Sequence, residues 1–217
     1  MNDNDHAPGL RARKKRRTRE AIADVALALF LARGFEAVTV ADVARAADVS
    51  PNTVFNYFSS KEDLFFDRQA DVEEAWSRIV CARAPGESAV LALRRDYLDA
   101  LARRDPRAGL SDDLAPFVRL IHGSPVLQAR EREIGERSAA TLARTLATET
   151  AAEPGDMIPH VVANLVAAVY RTLHAESRRR LLAGEAADAI YPGFVDAARR
   201  AFTLLEAGVG DYATRRV

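Results

Sequence analysis

Two groups of side chains have the types and spacing for chemistry on a polyanion. From Arg11 to Arg19, seven of nine residues are Arg or Lys and none is acidic. Such a block neutralises phosphates where it meets nucleic acid and is a bare basic tail where it does not; charge alone leaves both open. The second group is Asn52-Thr-Val-Phe-Asn-Tyr57, introduced by Ser50-Pro51. Asn52, Thr53, Asn56 and Tyr57 carry hydrogen-bonding groups suited to base edges and phosphates, and Phe55 suits a thymine methyl. The plain alternative is the polar surface of an ordinary helical hairpin.

Other chemistries find little support. The four histidines, at 6, 122, 160 and 174, have no metal-ligand spacing. His174-Ala-Glu176 imitates the opening of a zinc deaminase motif, but the paired cysteines are missing. There is no Gly-rich phosphate loop and no nucleophile elbow. No catalytic residue, metal site or cofactor is therefore expected, and the chain is not read as an enzyme. The single cysteine, Cys81, forbids an intrachain disulfide and fits a reducing compartment; it reads as a half-buried helical residue.

The net charge is zero, so only its distribution is informative. Residues are 48% hydrophobic, 29% charged and 7% aromatic, which favours helices and allows a sizeable core. The apolar run Val25–Ala32 after the basic block resembles a signal peptide. Glu20 and Asp24 interrupt its start, however, and Ile22, Val25, Ala26, Leu29 and Phe30 share one helical face. A core helix, a cytoplasmic protein and no membrane partner are expected. A basic amphipathic helix on a membrane surface is the competing reading.

The elements that would position the polar groups are helices throughout. Residues 1–12 read as a disordered leader to the basic arm. A helix runs from about Arg13 to Arg33 and stops at Gly34, with Phe35 folding back. Thr39 and Asp42 form a capping box for a short helix. Ala47-Asp48-Val49 is a turn, and Ser50 caps the next helix with Pro51 in its first turn. Ala44, Val49 and Val54 supply the crossing contacts of a helix-turn-helix. Its second helix would lie in the major groove. From Lys61 one continuous helix is expected to about Ala82, with Leu64, Phe65, Arg68, Val72, Trp76 and Ile79 on one side. Helices follow near 90–101, 114–122 and 125–146. The most apolar one begins at Ile158, and a last one covers about 193–207 after a loop bracketed by Gly184 and Tyr191-Pro-Gly193.

The segment Thr39 to Leu64 resembles the DNA-binding region of TetR-family regulators. The match covers about residues 13–66, with Val49-Ser50, Thr53, Phe55, Tyr57-Phe58, Lys61 and Leu64 at that family's spacing. The resemblance implies phosphate contacts from Thr53, Tyr57 and Lys61, and base reading by Pro51, Asn52, Phe55 and Asn56. Arg16, Arg17, Thr39 and Ser50 complete the candidate DNA-binding set. Asp48 replaces the family's usual turn glycine, a position Asp tolerates better than most residues.

The resemblance also implies an all-α plan: a helix-turn-helix domain over 13–66 and a helical sensing and dimerisation domain over 67–217. The expected partners are a palindromic double-stranded operator, a second copy of the chain through helices 158–182 and 193–207, and a small apolar effector. Arg119–Arg130 and Pro159–Val162 are similar to a branch with acyl-CoA-like ligands. Trp76, Tyr97, Phe117 and Leu120 are the candidate pocket walls, with Arg119 or Arg171 at an anionic end. The unbroken helix from Lys61 to Trp76 would be the lever from effector to DNA.

Overall fold

The structure is a computed structural model that describes residues 10–215. Among these, all α-helices and 3-10 turns aside, no other regular element occurs, and the chain divides into two compact units with the boundary between Gln69 and Ala70. The expected disorder of residues 1–9 lies outside the described residues. Residues 10–12 open the first helix.

In the first unit, α1 spans Leu10–Arg33. Ile22, Ala23, Ala26 and Phe30 recur at helical spacing and are buried. Gly34 ends the helix at φ +85°, a conformation that costs glycine little, and its N–H donates to the Phe30 carbonyl at 2.8 Å. Phe35 then folds back, 5.0 Å from the Phe30 ring, and Phe65 joins both at about 6 Å.

The next two helices, α2 (Val40–Ala46) and α3 (Pro51–Tyr57), are set by their caps. Thr39 Oγ1 accepts from the Asp42 N–H at 3.1 Å, while Asp42 Oδ2 accepts from the Thr39 N–H at 3.0 Å. Ser50 Oγ accepts from the Thr53 N–H at 3.1 Å. Asp48 holds the turn between them at φ +53°. Val43, Ala44 and Val54 are buried where the helices meet.

The continuous helix expected from Lys61 is broken. α4 covers only Lys61–Phe65, and α5 starts afresh over Gln69–Cys81. Two interactions account for the break. The Asp67 carbonyl, which a continuing helix would use internally, accepts from Arg19 Nη2 at 3.1 Å. Phe66 would turn about 100° from Phe65 in a straight helix; instead it lies edge-on to it at 4.9 Å. The phase of the apolar face is lost with the break, so Val72 stands 54% exposed. Cys81, expected half-buried, is exposed at the end of α5.

The second unit continues with α6 (Ala89–Ala102), two 3-10 turns, α7 (Ala115–Gly123), α8 (Pro125–Thr150), α9 (Ile158–Leu182) and α10 (Ala187–Val209). α8 packs along α9, and α10 packs on α6 and α9. Leu93, Tyr97, Leu142, Val162, Val166, Tyr170, Phe194 and Phe202 lie in one core. The last helix starts earlier than expected and carries Tyr191-Pro-Gly193 inside it. Its first turn is held from outside: Asp112 Oδ1 accepts from the Ala187 N–H at 2.8 Å, and Ile190 is fully buried. Pro192 has no N–H to offer the Asp188 carbonyl, which lies on an exposed residue that water can reach.

One buried charge was not foreseen. Arg83 is 2% exposed, pairs with Glu149 at 2.8 Å and donates to the Ala213 carbonyl at 3.1 Å. Gly86 and Glu87 exchange backbone bonds with Arg215, so the C-terminal segment is strapped to the loop after α5.

Candidate nucleic-acid interface

The caps aim α3. With Val54 and the following Phe58 buried, Pro51, Asn52, Phe55 and Asn56 fall on the opposite, exposed face. Phe55 is 56% exposed between two asparagines. An aromatic ring held in water beside two amides gains nothing from the fold and suits an external surface with both methyl groups and hydrogen-bonding edges.

The other expected contacts fall into two groups. Arg16 and Arg17 are exposed on α1, Arg16 with its Nε 3.5 Å from Glu20. Thr53 and Tyr57 are half-buried at the edge of the α3 face. Thr39 and Ser50 spend their hydroxyls locally. Thr39 Oγ1 donates to Asp42 at 2.7 Å, and Ser50 Oγ lies 2.9 Å from Thr53 Oγ1. The Thr39 hydrogen bonds hold the Asp42 carboxyl below the usual carboxylate range, so the capping box keeps its ionised acceptor further into acid than a free Asp would. The Lys61 ammonium lies 4.2 Å over the Phe35 ring.

Arg19 belongs to the basic run but not to its exposed face. Its guanidinium lies over Phe58 and donates to the carbonyls of Tyr57 and Asp67. It is a clamp on the end of α3.

In the second unit, two of the residues expected to wall a pocket, Trp76 and Tyr97, share one aromatic cluster. Trp76 lies 4.8 Å from Tyr170, which is 5.1 Å from Tyr97. Tyr97 donates to the Ala108 carbonyl at 3.1 Å, and burial pushes its hydroxyl well above the usual tyrosine range. Phe117 and Leu120 are half-buried on α7, which packs against α8 and α9. Arg119 and Arg171 are both exposed, on α7 and α9. Tyr170 and His174, at the centre of the aromatic cluster, are not among the pocket walls expected from the sequence. Their spacing of four residues on an apolar helix was the available signal.

Residues 22–67 match the model of the bacterial regulatory proteins of the tetR family. The chain is 33% identical over 175 residues to the HTH-type transcriptional regulator TcmR of Streptomyces glaucescens, covering 79% of this chain and 77% of that protein. Among solved structures, a TetR-family regulator from Mesorhizobium loti superposes with a TM-score of 0.57 at 19% identity, over 92% of this chain and 98% of that one. GusR of Salmonella enterica does so with a TM-score of 0.54 at 21% identity, over 88% and 94%. The chain belongs to the TetR family of transcriptional regulators.

Proposed function

We propose that this chain is a repressor that binds a palindromic operator as a homodimer and is released by a small effector. The observation that carries the DNA-reading assignment is the exposed Asn52, Phe55, Asn56 face of α3, fixed by the Ser50 cap and the Val54 anchor. Asn52 and Asn56 read bases. Arg16, Arg17, Thr53, Tyr57 and Lys61 meet phosphates, while Thr39 and Ser50 position the helices that carry them.

One recognition helix reads only a few base pairs, so operator affinity calls for two. The second unit has a surface for pairing. Ile158, Val161 and Leu165 form a stripe on α9, at 50%, 46% and 42% exposure, and Leu204 on α10 is 78% exposed. A contact between copies of α9 and α10, as a four-helix interface, takes these side chains out of water.

An effector that prefers the DNA-incompatible dimer shifts the population away from the operator, with a coupling of roughly 1–3 kcal/mol. The acyl-CoA-like effector expected from the sequence rests on resemblance. Arg119 and Arg171 are accessible to its anionic end only at the surface. No helix among the described residues is long and apolar enough to cross a membrane. A cytoplasmic, non-catalytic regulator is the reading adopted here.

Capture of genomic fragments by the purified protein, followed by footprinting, tests this function. A protected inverted repeat is the expected result; absence of any sequence preference overturns it. Titration of acyl-CoAs of varied chain length against the protein–operator complex tests the effector class separately.

A further inference from the structure

Little holds α5 along its length. It buries only Val80 fully, and among the described residues no helix packs closely along it. Trp76 rests on Tyr170 of α9, and Glu73 lies 3.7 Å from Arg137 of α8. A groove of 290 Å³ runs between Arg78, Ile79 and Ala82 on one side and Asp96 and Asp99 of α6 on the other.

The far end of α5 is held from elsewhere in the chain. Carbonyls at a helix end have no partner within the helix. Here the Cys81 carbonyl, and that of Arg83 just beyond, accept from Arg215 Nη1 at 3.3 and 2.7 Å. The Arg215 carbonyl accepts from the Gly86 N–H at 2.8 Å, and the Arg215 N–H donates to the Glu87 carbonyl at 3.1 Å. Arg83 answers from the loop. Its buried guanidinium donates to the carbonyls of Val80 and Ala213 and pairs with Glu149 in the last turn of α8.

Residues 211–215 reach this loop directly from α10, with Tyr212 and Ala213 packed on the core. Ala213 is held at φ +53°, a left-handed conformation that alanine adopts only where its surroundings impose it. The docked path is therefore set by these contacts, and the backbone regains freedom when they are lost.

The position of α5 in the chain gives the contact its consequence. Gln69, the first residue of α5, is also the last residue of the DNA-reading unit, so the chain enters the second unit through this helix. At the other end of the tie is α10, one of the two helices proposed above to pair. In a dimer joined there, the two DNA-reading units follow whatever α5 is tied to.

We infer that residues 211–215 are a strap that ties α5 to α10, with Arg215 and Arg83 as its positioning residues, and that simultaneous binding of both operator halves needs the strap docked. The inference rests on the dimeric, palindrome-binding reading above and adds a device to it. Release of the strap frees α5 and weakens two-site binding without altering the reading face of α3.

Arg215 is exposed, so its replacement should leave the fold intact. Arg215→Ala removes both side-chain donations, and Arg215→Lys keeps a cation able to serve one carbonyl. Arg144→Ala removes an exposed charge from α8 and controls for net charge. Three quantities are read on the full-length protein. Hydrogen exchange over residues 82–88 reports the Gly86 N–H that the strap occupies. Fluorescence anisotropy gives affinity for the complete operator and for a duplex with one half-site. Sedimentation gives the mass. Arg215→Ala is expected to speed the exchange and to weaken the complete operator about fivefold or more, the lower end of a typical coupling. Its half-site affinity and dimeric mass should not change. Arg215→Lys should fall between, and Arg144→Ala should match the unaltered protein. Unchanged exchange or unchanged operator affinity in Arg215→Ala overturns the strap. An equal loss on the half-site, a halved mass, or the same loss in Arg144→Ala also overturns it, since the effect then lies in the DNA-reading unit, in pairing or in net charge. If Arg215→Ala unfolds by circular dichroism, Arg215→Lys decides alone. An unaltered protein that binds the complete operator no more tightly than a half-site overturns the palindrome reading and the strap with it. Intact two-site binding with an indifferent Arg215→Ala overturns only the strap.

Discussion

The Arg19 guanidinium lies 4.2 Å above the centre of the Phe58 ring, joining α1 to the residue that ends α3. It also donates to the carbonyls of Tyr57, the last residue of α3, and of Asp67, in the turn between α4 and α5. Arg19→Ala is therefore expected to lower stability by roughly 2 kcal/mol, the scale of hydrogen bonds from a charged donor. Arg17→Ala, two residues earlier on an exposed position, should leave the melting temperature alone and weaken DNA binding. Thermal unfolding beside an operator titration checks both, and equal melting temperatures for the two variants would refute the clamp.

The phosphate and base contacts should separate by salt and by sequence. Lys61→Ala is expected to weaken operator and unrelated DNA alike and to reduce the salt slope by about one. Asn52→Ala and Asn56→Ala should each cost roughly 1–3 kcal/mol on the operator and little on unrelated DNA. Fluorescence anisotropy over a range of salt reads both quantities. If Lys61→Ala leaves the slope unchanged, the ammonium over Phe35 belongs to the fold alone.

Pairing through α9 and α10 predicts a monomer when the stripe is charged. Leu165→Asp and Leu204→Asp replace exposed apolar residues, so each chain should fold as before. Sedimentation at micromolar concentration should show half the mass of the unaltered protein. Operator affinity should fall with it, since two half-sites are no longer bound together. A monomeric unaltered protein would remove the premise.

Acid should destabilise the second unit through His174. Its folded pKa is lowered by burial, whereas the unfolded value is about 6.5. Below that pH the unfolded chain takes up a proton that the folded chain resists. Stability therefore starts to fall near pH 6.5 and goes on falling until the folded pKa is passed, by at most about 1.4 kcal/mol per pH unit. Above pH 6.5 the group has no effect. His174→Phe is expected to flatten urea-unfolding stability between pH 6.5 and 5 relative to the unaltered protein; an identical decline in both would show that His174 does not carry it.

Where sequence and structure agree, the physics is local. Gly34, Thr39 with Asp42, and Ser50 with Pro51 act within four residues of themselves, so the two helices of the DNA-reading unit and the outward face of α3 were legible from residue types and spacing. Tertiary structure decided what depends on distant residues. The break after Phe65 depends on Arg19, 48 residues before Asp67, and the early start of α10 depends on Asp112, 75 residues before Ala187. A helical pattern continues in sequence for as long as its own residues allow. It ends in the fold where a side chain from elsewhere takes a carbonyl or supplies a cap. His174 follows the same rule: its type and position are local facts, but its unpaired Nε2 exists only because Tyr97, Gly109 and Tyr170 close around it.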